Sequence, residues 1–542
     1  METASTIVQP PAAPAEKSDL TGRSRLVSNV LFTWGGQMVF FVSGFIMPRM
    51  IDRALGGDDR VLGKQVLGVW DFSWSLVAYF RFVDMGVTAS VNRYVARYWG
   101  TQDIDGINRV VSSATLALVL AGLVMFLGTI GVVVTMPYWF GDSLHGFMSI
   151  TQQSVFWLGL MLSVGTALGA YNGVLTGCHR WELQTMRNST WQFIAVAGML
   201  VALWLGYGLV MLAAITAICQ ILGQLTMVGL AYKACPGLKL RRSYIHKGTI
   251  KELYIYSGKT LLPTVSEMLL NQTTSVLITG SMGLGALAVF TRPRALLRQM
   301  DSLQRKMAMI LTPTTSSLQS CGDVKEIESL LVKSVRYSIY LVLPLVMILV
   351  IFGGEVIQIW MGPSYANWIL PAVLSIGFLG TCIQTPILYM LEGLNAHGRA
   401  GLGQFIGSAL SAAAVFIALK FYHGGLTVAA VAVTVPLLVV NIIYLPALLC
   451  RRLGMGMGNF YRQVAVRPLI HALPFGACLV IARLIFKQYP IPAVGLCAAG
   501  GVVLTIFYWR SVLPQSLKAG LQRRFEKIGR RLGFSAASAA AK

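Results

Sequence analysis

Long apolar runs alternate along the chain with short polar connections. Fourteen runs could each cross a bilayer: residues 26–49, 66–92, 110–136, 150–176, 187–206, 208–231, 256–280, 284–311, 337–355, 369–391, 399–419, 425–449, 468–486 and 491–510. A membrane-crossing helix needs about 20 mostly apolar residues. The strict alternation of apolar and polar positions that marks a membrane β-barrel is absent. The pattern predicts an all-α polytopic membrane protein with about fourteen transmembrane helices.

Polar residues inside these runs fall at helical spacing. Arg294, Arg298, Asp301 and Arg305 follow i, i+4, i+7, i+11 and share one narrow face. Arg81, Asp84, Thr88 and Asn92 repeat the device in the second run. Thr260, Thr264, Glu267, Asn271 and Thr274 form a similar stripe in the seventh, and Asn29, Thr33, Gly36 and Gln37 a gentler one in the first. Such faces are costly against lipid and are expected to line one water-filled central cavity. Arg81, Arg294, Arg298 and Arg305 are the candidate anion-binding groups, because guanidinium keeps its charge and offers a fork of donors to phosphate oxygens. Gln37, Thr88, Asn92, Thr264 and Asn271 are candidate polar lining. Asp84, Glu267 and Asp301 are candidates for ion coupling or gating, with Glu267 preferred as a proton carrier because no arginine lies one turn away on its own helix. In the competing reading, Arg81–Asp84 and Arg298–Asp301 are i, i+3 pairs that merely neutralise each other. Arg292 lies off the stripe, beside Pro293; Lys306 and Asp71 fall nearer the ends of their runs and read as interfacial.

Of the 542 residues, 55% are hydrophobic and 12% charged, against roughly 25% charged in soluble domains; mean hydropathy is +0.65. A soluble domain cannot hide that much apolar surface. The formal charge of +23 would suggest nucleic acid in a soluble protein, but basic residues also collect in cytoplasmic loops of membrane proteins. With fourteen spans and the N-terminus inside, the large majority of the 44 lysines and arginines fall on the cytoplasmic side. Both termini are thus expected in the cytoplasm and no nucleic-acid partner is expected. Residues 1–25 read as a disordered tail, 232–255 as a basic cytoplasmic loop, and 511–542 as a basic amphipathic helix on the anionic inner leaflet.

An internal repeat accompanies the count. Leu67, Gly68, Arg81 and Asp84 recur as Leu284, Gly285, Arg298 and Asp301 at one constant offset. The six-span separation implies parallel repeats: pseudo-symmetric six-helix lobes at 26–231 and 256–449, followed by two extra helices in 450–510. Gly165, Gly169, Gly173 and Gly177 form a stripe suited to close helix packing. The eight cysteines and six histidines are scattered, so no metal or other cofactor is expected. Ser257-Gly258-Lys259-Thr260 lacks the first glycine of a phosphate-binding loop, Leu253 standing in its place.

Phe82-Val-Asp84-Met-Gly86, Val91-Asn-Arg93-Tyr-Val-Ala96 and the stretch Gly100 to Ser112 resemble the polysaccharide, or lipid-linked oligosaccharide, flippase family (Wzx-type) of the MOP exporter superfamily. The resemblance implies two six-helix lobes around a V-shaped cavity, alternating access, and cationic cavity residues that handle a substrate diphosphate. Arg81, Arg294, Arg298 and Arg305 fit that role by helix and face. It further implies a bacterial inner-membrane location, a lipid-linked oligosaccharide substrate, and a polysaccharide polymerase and glycosyltransferases as partners besides membrane lipids. Two other readings stand beside it. A cation-coupled exporter of small amphipathic molecules would favour an acidic cavity, whereas arginines are in surplus here. A membrane-embedded glycosyltransferase or ligase would need a large outside loop and a catalytic cluster; neither is visible, and no enzyme is expected.

Overall fold

The computed structural model describes residues 23–512 apart from 85, 145, 259–260, 423 and 486–489, together with residues 515 and 518. Expectations for residues 1–22 and for nearly all of 511–542 therefore lie outside the described residues. Every regular element described is helical. The chain clusters into two compact units.

Among the described residues the first unit comprises 23–55, 80–136 and 149–258. It contains α1 (Arg23–Gly56), α3 (Val87–Gly100), α4 (Ile104–Phe140), α5 (Met148–Ala167), α6 (Gly169–Gly177), α7 (Trp181–Trp204), α8 (Leu209–Ala234) and α9 (Lys247–Gly258). Its core joins Val87, Val91 and Val95 of α3 to Ile107, Val111 and Leu118 of α4 and Val174 and Leu175 of α6. The glycine stripe lets α3 and α6 meet. A Cβ on Gly173 would stand 2.6 Å from Val91 Cγ1, and one on Gly177 2.7 Å from Val95 Cβ. The expected fourth span is bent by 49° where α5 meets α6. The basic loop is pinned to α4: Asn108 accepts the Lys239 N–H at 2.8 Å and donates to the Gly237 carbonyl at 3.3 Å, and Ser113 accepts the His246 N–H at 3.1 Å.

Among the described residues the second unit comprises 56–79, 137–148 and those from 261 onward. It contains α2 (Arg60–Tyr79), α10 (Leu261–Met268), a π turn (Leu269–Thr273), α11 (Thr274–Met282), α12 (Leu284–Ala308), α13 (Leu311–Ser320), α14 (Val324–Met361), α15 (Ile369–Gly393), α16 (His397–Lys420), α17 (Leu426–Leu438), α18 (Leu445–Leu453), α19 (Met457–Val464), α20 (Val466–Ile485) and α21 (Pro490–Ser511). Ile327, Leu331, Val335 and Ile339 of α14 pack with Ile387, Met390 and Leu391 of α15, Leu445 and Leu449 of α18, and Phe460 of α19.

Seven described helices are long and apolar enough to cross a membrane, or eight if the bent α5–α6 pair counts as one span. Helices α2, α3, α10 and α12, which carry three of the polar stripes, are not among them, because their charges and breaks shorten the apolar window. The second expected span is two helices: after α2 the chain passes through a 3-10 turn, Phe80–Phe82, and α3 begins behind Gly86 at φ +76°. The seventh is interrupted by the π turn at Leu269–Thr273.

Candidate substrate-binding face

The cationic stripe survives best on α12, which runs unbroken from Leu284 to Ala308. Arg294 donates from Nη2 to Asn271 Oδ1 of the π turn, and its guanidinium lies 5.4 Å from the Phe290 ring centroid. Insertions of this kind widen a helix locally and often mark functional sites. Here the turn carries the amide that holds Arg294. Tyr79 on α2 hydrogen-bonds Thr273 in the same turn at 2.8 Å.

One turn further along α12, Arg298 is exposed and makes no ion pair among the described residues. Two turns further, Arg305 Nε meets Asp301 Oδ2 at 2.7 Å. The other carboxylate oxygen of Asp301 is buried without a hydrogen-bond partner among the described residues. Glu267 on α10 and Tyr389 on α15 lie within electrostatic reach of this pair. Glu267 has no cation on its own helix, but the fold supplies Arg305 from α12. Glu267 and Thr264 are both exposed on α10. Helices α10 and α12 and the π turn between α10 and α11 thus bring together Glu267, Asn271, Arg294, Arg298, Asp301 and Arg305, with Thr264 one turn before Glu267 on α10.

The corresponding stripe of the second run is not a helical face. Arg81 sits exposed in the 3-10 turn, and Asp84 in the turn that follows. The break between α2 and α3 removes the phase that would align them with Thr88 and Asn92. Asp84 accepts hydrogen bonds from Thr88 Oγ1 and N at 3.3 and 3.4 Å, so it closes the first turn of α3 locally. Thr88 also packs toward Gly169, whose added Cβ would stand 2.8 Å from its Oγ1. Asn92 is half-buried on α3. Gln37 lies on α1, and its side chain falls outside those described.

Two charged residues outside the stripe are paired with each other. Arg292 is 3% exposed and forms an ion pair with Asp71 of α2. Thr291 Oγ1 donates to the same carboxylate oxygen at 2.5 Å, and Arg292 Nη2 donates to Thr291 Oγ1 at 2.9 Å. Asp71 is the anionic half of a buried lock between α2 and α12. Gly68 makes the approach possible, since a Cβ there would fall 2.1 Å from the Leu284 carbonyl oxygen. The sequence held one clue: Arg292 has no acid within two turns on its own helix, so burial required a partner from elsewhere.

Comparisons with known proteins agree with this architecture. The fold matches a lipid II flippase, MurJ, in an inward closed conformation, with TM-score 0.66 and 10% identity over 90% of this chain and all of that one. It also matches an inward-facing multidrug resistance MATE family transporter of the MOP superfamily, with TM-score 0.62 and 15% identity over 79% of this chain and 96% of that one. The chain shares the fold of these two proteins. A family model described as polysaccharide biosynthesis protein matches residues 151–370. A Shigella flexneri protein whose name assigns it to O-antigen transport is 21% identical over 350 residues, covering 63% of this chain and 80% of that protein. The resemblance to the polysaccharide flippases is thus accompanied by a family model over part of the chain and a curated relative whose name points the same way.

Proposed function

We propose that this protein is a bacterial inner-membrane flippase for a polyprenyl-diphosphate-linked oligosaccharide, working by alternating access. The carrying observation is the pair Arg294 and Arg298, one turn apart on α12, neither of them in an ion pair among the described residues. Arg294 is steadied by the neutral amide of Asn271 and Arg298 is exposed, so both charges are available to two adjacent phosphoryl groups. Such charge-assisted contacts are stronger than neutral hydrogen bonds. Arg81 is assigned a supporting contact.

Arg305 has a different part. Tied to Asp301 and near Glu267, it joins two carboxylates to one guanidinium, an arrangement suited to gating or to coupling with a cation. Asp84 is assigned to the gate on the other unit. In the proposed cycle the head group loads from the cytoplasm while the lipid tail stays in the bilayer. Outward movement of negative charge follows an inside-negative potential, which contributes about 2.3 kcal/mol per charge per 100 mV, or roughly 4–5 kcal/mol for two charges. The termini are assigned to the cytoplasm, and a polymerase and glycosyltransferases to the same pathway.

Deletion should leave finished lipid-linked units accumulating on the cytoplasmic side and lower surface polysaccharide. Arg294→Ala and Arg298→Ala should reproduce the loss while the protein stays in the membrane. Normal polymer with both replaced would overturn the arginine assignment, and altered drug resistance with unchanged polymer would favour a MATE-like exporter. Glu267→Gln should weaken the response of transport to a proton or sodium gradient without abolishing substrate binding, and a gradient response equal to the parent's would remove Glu267 from coupling.

A further inference from the structure

The first unit holds a second cationic site, unrelated to the α12 face and independent of the transport reading. Arg187 of α7 is 7% exposed. Its Nε has no hydrogen-bond partner among the described residues, and its recorded contact is a weak one from Nη2 to Met227 Sδ at 3.9 Å. No carboxylate forms an ion pair with it among the described residues. A buried cation without a counter-charge is costly, so its retention here calls for a compensating anion.

Arg187 lines a cavity of about 340 Å³ between α7 and α8, together with Thr190, Trp191, Thr226, Gly229 and Lys233. The walls are organised. Trp191 Nε1 donates to Thr226 Oγ1 at 3.1 Å, and Thr226 donates to the Gly223 carbonyl at 2.7 Å. A Cβ on Gly223 would stand 3.4 Å from Arg187 Nη1, so the guanidinium is held close against α8. Gly229 leaves the cavity open, nothing lying within 4 Å of where its Cβ would be. Lys233 stands exposed at the end of α8, where the basic loop begins. Along the same two helices Met186, Phe193, Ile194, Leu222 and Leu225 are exposed, and Met186 also lines the cavity.

We propose that this cavity binds the phosphate of an anionic phospholipid headgroup, with Arg187 as its buried donor, Lys233 at the rim, and the acyl chains along the apolar surface of α7 and α8. Basic pockets between membrane helices beside a cytoplasmic loop suit such headgroups. The apolar surface distinguishes a lipid from a soluble anion of the same chemistry.

The test uses the full-length protein in dodecyl maltoside, titrated separately with phosphatidylglycerol, phosphatidylcholine and inorganic phosphate while thermal unfolding is followed. Phosphatidylglycerol should raise the unfolding midpoint, phosphatidylcholine should do so less, and inorganic phosphate should leave it unchanged. In Arg187→Met the lipid-dependent rise should vanish, although the variant itself folds, because an apolar side chain of similar length replaces an uncompensated charge. Lys233→Gln, an exposed change, should weaken the apparent lipid affinity about tenfold, the order expected for one charged hydrogen bond. Equal rises in the parent, Arg187→Met and Lys233→Gln would overturn the site. A rise with inorganic phosphate matching that with lipid would overturn the lipid as its source.

Discussion

Among the described residues two arginines are buried, and they are handled in opposite ways. Arg292, in the second unit, is matched to Asp71 and Thr291 and joins α2 to α12. Arg187, in the first, is nearly as inaccessible, and its hydrogen-bond partner among the described residues is a sulfur. Equal burial of the same side chain therefore does not imply the same role. A compensated guanidinium closes a helix contact; an uncompensated one keeps its demand for an anion. Arg294 and Arg298 lie between these extremes, the first held by a neutral amide and the second open.

This ordering can be broken by substitution, with the largest effect expected at the matched pair. Arg292→Ala strands the Asp71 carboxylate and should cost about 3–5 kcal/mol, read as a fall in the unfolding midpoint and in membrane yield. Adding Asp71→Leu should return much of that loss, since removing both charges is far less costly than removing one. Asn271→Ala takes away the acceptor of Arg294 and should cost about 1.5–3 kcal/mol, measured by denaturation. Arg187→Met should be neutral or slightly stabilising in lipid-free detergent. A loss there as large as that of Arg292→Ala would erase the distinction between the two sites. Arg298→Ala should move stability by no more than about 0.5 kcal/mol while lowering surface polysaccharide, a separation of folding from transport that Arg292→Ala cannot show.

Much of the helical layout was legible because apolar runs longer than a bilayer have few alternatives. The α12 stripe was legible because that helix is continuous, so the spacing of Arg294, Arg298, Asp301 and Arg305 became a real face. The same arithmetic failed for Arg81 and Asp84. Phe80–Phe82 turn tightly, Gly86 takes a positive φ, and helical phase does not pass through the break. The Arg292–Asp71 lock was hidden because its partners are 221 positions apart, and single-sequence spacing reports neighbours only within one helix. Arg187 was hidden for a related reason. It opens an apolar run and reads as a span boundary; its burial depends on the close approach that Gly223 permits on α8.

The borders of the two units do not follow the order of the chain. Residues 56–79 are encoded among the helices of the first unit but fold with the second. A gene split after residue 258 would hand Asp71 to one product and Arg292 to the other. Neither fragment could neutralise its own buried charge, so two half-proteins expressed apart should each be degraded, and only co-production could restore them.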